Sequence, residues 1–267
     1  MMTILERIVA DKKQEIAAAK AKISASDLRT RIGDMARDLR GFQQRLAAPG
    51  PGGVNIIAEV KRASPSKGDI CKDLDAVQCA RQYAAGGAAA VSVLTDTPYF
   101  KGSLNDLRKV RAAVTLPVLR KEFIIDPYQV YETFIAGADA LLLIVRILSA
   151  SQLNELASLT AELGMDALVE IHTPAEYEIA HAAGAGLIGI NNRNLATFDT
   201  DLDTAVGMAA LFQPDEIPVT ASGIHSRADI EQNLASGIFN FLVGESLVRA
   251  KDRKAFLRTL IGSQVKQ

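Results

Sequence analysis

The chain has 267 residues in which 30 Lys and Arg almost balance 31 Asp and Glu, so it lacks the basic excess that general binding to nucleic acid or a membrane surface requires. No uncharged apolar run is long enough to span a bilayer, and the opening MMTILERIVADKKQE is too charged for a signal peptide. A soluble, cytoplasmic protein is expected, with Cys71 and Cys79 as a reduced pair and not a disulfide or a zinc site.

The first fifty or so residues read as helices. Leu5, Ile8 and Val9 give a helical stripe that the Ala/Lys/Gln segment continues to Lys22. Ser26 and Asp27 are candidate caps for a second helix, a third carries Phe42 and Leu46, and Pro49-Gly50-Pro51-Gly52-Gly53 is a break. This part, 1–53, is expected to be a helical extension packed on the rest of the chain, within one structural domain.

From Val54 onward, strand-like and helix-like runs alternate. Strands are predicted at 55–60, 89–94, 117–120, 140–145, 167–171, 187–190, 217–221 and 239–243. Helices are predicted at 74–85, 104–113, 127–136, 150–163, 174–183, 203–212 and 227–235. Ser103, Ser149, Thr173 and Ser226 stand where N-caps belong, and Gly86-Gly87, Gly137, Gly164, Gly184 and Gly237 where helices stop. Eight such units, with a last helix after the final strand, predict an α/β fold: a single closed (β/α)₈ barrel, the TIM barrel, over 54–267. A doubly wound open sheet is the rival architecture.

Barrels of this kind place their reactive groups at the carboxyl ends of the strands. The first strand ends in Glu59 and Lys61, two apart and so on one face. The third ends in LRKEF with Lys121, the fifth holds Glu170, the sixth leads to Asn191 and Arg193, and the last two run into ASGI and VGES. Burying that many charges is costly unless they are paired or used, and the set suits an anionic substrate and proton transfer. Gly223 and Gly244, each ahead of a helix N-terminus, occupy the usual phosphate position. The alternatives are that the charges fix register as ion pairs and the glycines serve tight turns. SPSKG lacks the spacing of a nucleotide-binding loop and reads as a mobile flap. His172 reads as a hydrogen-bonding neighbour of Glu170, and His181 and His225 do not make metal-ligand spacing.

IIAEVKRASPSKG, LRKEFIIDPYQVYE, GADALLLIVRIL, LVEIH, IGINNRNL and FLVGESL together resemble the indole-3-glycerol phosphate synthase family, over nearly the whole chain. The resemblance implies a phosphate-binding barrel with an N-terminal helical extension over its active site. It also implies a carboxy-lyase of tryptophan biosynthesis, which closes the ring of 1-(2-carboxyphenylamino)-1-deoxyribulose 5-phosphate with loss of carbon dioxide and water. No metal or organic cofactor is expected, and the only partner is that phosphorylated small molecule, met by a monomer. By resemblance the catalytic set is Lys121 as acid, Glu170 and Glu59 as carboxylates, Lys61, Asn191 and Ser222. Lys61 is expected as ion-pair partner, anchor and second acid, and Asn191 as holding a reacting hydroxyl or Glu59. Ser64 and Arg193 would order the mouth near the anthranilate carboxylate, while Phe100, Phe123 and Leu142 would wall the aromatic ring. Ser222, Gly223, Gly244 and Glu245 would line the phosphate site. Members of this family usually carry Glu-Ser-Gly after the seventh strand, whereas this chain has Ala221-Ser222-Gly223. The missing carboxylate is expected to leave Lys61 and Lys121 repelling one another, with lowered proton affinity. Two alternatives stand beside the synthase. One is phosphoribosylanthranilate isomerase, which would use a Cys/Asp pair that the first strand does not supply. The other is a barrel that binds phosphate without turnover.

Overall fold

The structure, a computed structural model, describes residues 2–33, 35–194 and 199–262, so Leu195 of the GINNRNL run lies outside the described residues. Eight runs rich in Val, Ile, Leu and Ala form β1 (Asn55–Val60), β2 (Ala90–Leu94), β3 (Val118–Lys121), β4 (Ala140–Ile144), β5 (Asp166–Ile171), β6 (Leu187–Asn191), β7 (Ile217–Ala221) and β8 (Asn240–Val243). All are parallel, and they close into a barrel when β1 pairs with β8 through Asn55↔Asn240 to Ala58↔Val243. Buried on both faces, such strands read as continuous apolar runs, which is why they show so clearly in the sequence.

Helices α1 (Ile4–Lys22), α2 (Ala25–Gly33) and α3 (Phe42–Leu46) precede the barrel. The crossovers are α4 (Ala76–Gly86), α5 (Leu104–Ala113), α6 (Pro127–Ala136), α7 (Ala150–Glu162), α8 (Pro174–Ala182), α9 (Asp203–Met208) and α10 (Arg227–Leu234), with α11 (Glu245–Arg249) and α12 (Arg253–Ile261) after β8. Ser103, Ser149, Thr173 and Ser226 each cap the helix they precede. Four expectations shift. Leu74 lies outside α4, whose cap is Asp75 accepting from the N–H groups of Val77 and Gln78. The cap of α2 is Ser24 and not Ser26: its hydroxyl accepts from Asp27 N–H at 3.1 Å while the Asp27 carboxylate accepts from Ser24 N–H at 3.2 Å. Val145 leaves β4 for a 3₁₀ turn, and the helix expected to reach Phe212 becomes 3₁₀ after Met208.

The barrel interior shows how the site is positioned. Alternate residues face inward, so Ile57, Leu119, Leu168 and Val219 form part of one buried apolar cluster. Two residues further along the same strands stand Glu59, Lys121, Glu170 and Ala221. Phe42 and Leu46 of α3, both fully buried, join the interior cluster from outside the strands. Arg40, just before α3, holds that segment on the barrel by donating to the carbonyls of Val114 and Leu116 at 2.7 and 2.9 Å. Ile16 of α1, Leu28 of α2 and Tyr128 of α6 form a separate small cluster on the barrel wall.

Candidate active site

At the carboxyl ends of the strands a single cleft is lined by all of the residues expected there: Glu59, Lys61, Ser64, Phe100, Lys121, Phe123, Leu142, Glu170, Asn191, Arg193, Ser222, Gly223, Gly244 and Glu245. Two ion pairs occupy its floor. Lys61 Nζ stands 2.6 Å from Glu59 Oε1, and Lys121 Nζ 3.4 Å from Glu170 Oε2. Burial pushes the Glu59 carboxyl up, but the charges of Lys61 and Lys121 outweigh it and hold the group below the ordinary carboxylate range. Burial likewise opposes ionisation of Glu170, and Lys121, His172 and Asn191 together bring it below its ordinary value. For Lys121, burial disfavours the cation, yet Glu170 and Glu59 prevail and raise its proton affinity. Two carboxylates face two lysines here, and with Ala221, 6% exposed, in the wall, Lys121 still lies above its ordinary value.

Asn191 meets Glu170 in the cleft. Its side chain lies beside Glu170, and its Oδ1 accepts from Ser222 Oγ at 2.8 Å and from the N–H of Arg193 at 3.1 Å. The Ser222 hydroxyl is thus turned toward Asn191, on a backbone with φ of 69° followed by Gly223 at 85°. A left-handed conformation at a serine costs on the order of 1 kcal/mol, a local strain of the kind that gathers at functional sites.

Behind Glu170 lies a chain of polar groups. His172 Nε2 is 3.9 Å from Glu170 Oε1, and Glu176 Oε2 accepts from the His172 backbone N–H at 2.6 Å while its other oxygen accepts from Arg146 at 2.8 Å. Burial pushes the Glu176 carboxyl up, but His172 and Arg146 overcome this and bring it down to about 2. Because the folded value lies below the unfolded one, Glu176 contributes stability above pH ~4.5 that is lost as pH falls toward 2. Glu176→Gln should therefore cost up to about 3 kcal/mol at pH 7 and progressively less on acidification through that window. Denaturant unfolding of both proteins at several pH values checks this; a cost independent of pH would rule the charge out as its source.

The ribbon after β1 pairs Ala63↔Asp69 and Ser64↔Gly68, so the expected flap has strand structure of its own. Arg193 Nη1 donates to Ser66 Oγ at 3.1 Å, joining that ribbon to the end of β6. At the opposite wall, Phe100 and Phe123 tilt against each other with ring centroids 6.0 Å apart, and Leu94, Leu142 and Ile144 complete an apolar face.

On the glycine-bearing side, Asp229 of α10 accepts from the N–H groups of His225 and Ser226 at 2.8 and 2.7 Å, which ties down the loop between Gly223 and that helix. Gly244 has a reason of its own to lack a side chain. A Cβ there would collide with the Glu59 carboxylate and come within 3.0 Å of Lys61 Nζ. Its ψ of −79° at a φ of −121° also lies outside the helix and strand regions open to other residues, so Gly244→Ala adds backbone strain to that contact. It should push the Glu59–Lys61 pair out of place and lower kcat/KM by about a hundredfold, with some loss of melting temperature. A variant with full kcat/KM would show that the pair tolerates displacement.

The family model for indole-3-glycerol phosphate synthase matches residues 5–260. The chain belongs to the indole-3-glycerol phosphate synthase family. The indole-3-glycerol phosphate synthase of Desulfosudis oleivorans is 55% identical over 263 residues, 98% of this chain and 99% of that protein. Those of Syntrophobacter fumaroxidans and Rhodopirellula baltica are 48% and 46% identical, covering 98% of this chain and 99–100% of theirs. Among solved structures, 3-hexulose-6-phosphate synthase from Salmonella typhimurium matches with a TM-score of 0.64 and 16% identity, over 78% of this chain and 97% of its own. At that identity it shows the shared barrel fold alone.

Sequence reasoning had not placed Ile4, Leu5 and Ile8 of α1, Ser66 or Glu122 in the cleft, and all of them line it. Position alone would have flagged Glu122, next to Lys121. The α1 residues carry no chemical signal, and only the packing of that helix brings them there.

Proposed function

We propose that this cleft performs the ring closure of the family, converting 1-(2-carboxyphenylamino)-1-deoxyribulose 5-phosphate to indole-3-glycerol phosphate. The observation that carries it is the order of groups across one mouth: an apolar aromatic face, two lysine–carboxylate pairs, then a glycine-lined backbone. The substrate has the same order: an anthranilate ring, a ketone with its hydroxyls, and a terminal phosphate. No helix among the described residues is long and apolar enough to cross a membrane, and the reading is of a monomer working in the cytoplasm.

In this reading Phe100, Phe123 and Leu142 hold the aryl ring, while Arg193 and Ser64 face its carboxylate. Lys121 gives a proton to the ketone oxygen as the ring carbon bearing the carboxylate attacks the carbonyl carbon. Carbon dioxide leaves and returns its bonding electrons to the ring. The new hydroxyl then departs as water, taking a proton from Lys61 or a reprotonated Lys121. A carboxylate, Glu170 with Glu59 beside it, removes the proton from the neighbouring carbon so that the indole double bond forms. Asn191 and Ser222 keep Glu170 aligned, and the backbone at Gly223, Gly244 and Glu245 receives the phosphate. Incubating the protein with the substrate and following indole absorbance and carbon dioxide release tests the reading. Tight binding with neither product would leave a binding barrel in its place.

A further inference from the structure

One buried cation takes no part in the reaction just described. Lys12 stands on α1 between Ile8 and Ile16, at the spacing that puts all three on one helix face, and is as buried as they are. Its side chain is 5% exposed, and its ammonium lies 3.0 Å from Asp96 Oδ2, 3.1 Å from Glu122 Oε1 and 2.7 Å from Glu15 Oε2. Burial opposes this charge, and Glu122, Glu15 and Asp96 more than compensate, so its proton affinity is raised. A helix that only had to cover a barrel would gain more from an apolar side chain here, because a buried ion cluster seldom stabilises better than well-packed hydrocarbon.

The two barrel carboxylates show what the cluster can do. Asp96 follows β2, and its Oδ1 accepts from the N–H groups of Tyr99 and Phe100 at 2.8 and 3.2 Å, fixing the turn that carries Phe100. The Asp96 Oδ2 has no hydrogen bond among the described residues, so the ion contact with Lys12 is what offsets it. Glu122 follows Lys121, and its Oε1 accepts from Phe123 N–H at 2.9 Å while its Oε2 accepts from Thr95 Oγ1 at 2.7 Å. Each carboxylate from the barrel that Lys12 touches therefore grips the backbone of one of the two aromatic residues of the apolar face. Tyr99 adds a second tie to the same helix by donating to Asp11 at 2.5 Å.

We propose that Lys12 is a positioning residue for the aryl end of the substrate: by bridging Asp96 and Glu122 it sets the relative placement of Phe100 and Phe123 and so the shape of the slot between them and α1. The proposal rests on the synthase reading for what enters that slot. It makes a helix outside the barrel a determinant of affinity for the aryl group, through a contact that lies behind the slot wall. Among the described residues, the ion pairs of Lys12 reach Glu15, Asp96 and Glu122 and not the glycines of the phosphate end.

Removing the lysine alone leaves Asp96 without its cation and Glu122 with only the more distant Arg120, at 3.7 Å, and threatens folding, so the decisive variant neutralises the three buried members as Lys12→Met with Asp96→Asn and Glu122→Gln. This set keeps the shapes and the backbone acceptors but has no cation to bridge them. Three quantities are measured against wild type: kcat and KM for the substrate, inhibition by 2-aminobenzoate, and inhibition by inorganic phosphate. The expected result is a folded protein whose KM and 2-aminobenzoate inhibition constant both rise about tenfold or more, with kcat falling less and phosphate inhibition within about twofold of wild type. Lys12→Arg, which keeps a bridging cation, should recover much of the aryl affinity. Unchanged KM in the folded triple variant would overturn the proposal, as would equal weakening of both inhibitors, which marks general loosening. Failure of the wild type to turn over would instead strike the synthase reading, and the 2-aminobenzoate comparison would still be readable.

Discussion

Lys121→Met should lower kcat by ~10²–10⁴-fold, the usual scale for removal of a general acid, with substrate affinity changed far less. Methionine keeps the length and most of the volume of lysine, so the cleft it lines with Phe123 and Leu142 keeps its shape. What disappears is the ammonium donor paired with Glu170, at 3.4 Å. Part of any loss will be electrostatic, because burial already pushes the Glu170 carboxyl up and Lys121 is the largest influence holding it down. Without the ammonium, Glu170 takes up a proton more readily and is a poorer base at neutral pH. Lys121→Arg separates the two effects. A guanidinium preserves the positive charge beside Glu170, but it does not release its proton in this range. Arginine should therefore restore the acid side of the pH–rate profile while leaving turnover low. A drop of less than about tenfold in the methionine variant, or near-complete recovery in the arginine variant, would take the acid role away from Lys121.

Much of this arrangement is legible in the sequence because it is local or periodic. Apolar strands buried on both faces, caps such as Ser149 and Ser226, and left-handed glycines such as Gly87 and Gly137 each leave a mark within a few residues. The barrel and the strand-end charges follow from those marks and from the two-residue alternation of strands. Contacts that join distant segments leave none. Lys12 reads as one more lysine in an Ala/Lys/Gln helix, and only the docking of α1 shows it meeting Asp96 and Glu122. Arg193 is recognisable as a site residue, but its bond to Ser66 across 127 positions is not. Gly68, in the ribbon, has a φ of +62° that proline cannot adopt, so a proline there would break the ribbon and not stiffen it as a hinge. Position 221 shows a further limit: the sequence counts a missing charge, whereas the proton affinity of Lys121 also depends on which carboxylates stand near it, and Glu170 and Glu59 raise it above the ordinary value.

Glu170→Gln should slow turnover by a similar ~10²–10⁴-fold if Glu170 is the base that completes the indole, and its pH profile should separate that role from a purely electrostatic one. Glutamine keeps the shape and can still face Asn191, so substrate affinity and the folded state should be largely retained. In the wild type, Glu170 lies below its ordinary value and is ionised throughout the neutral range. The acid limb that it sets therefore falls below the ordinary carboxylate range, and it should vanish in the variant. At the other end, Glu170 is the strongest influence raising the proton affinity of Lys121, whose burial acts in the opposite direction. Once the carboxylate is neutral, burial and the nearby charge of Arg193 are opposed chiefly by Glu59, and Lys121 loses its proton more easily. The basic limb should then move toward neutral pH, whereas loss of a base alone would leave that limb in place, since glutamine does not titrate. A variant that slows with both limbs unmoved would keep Glu170 as a positioning group and exclude it as a base coupled to Lys121. Unchanged turnover would transfer the base to Glu59, which is buried, ionised and held 2.6 Å from Lys61 at the end of β1.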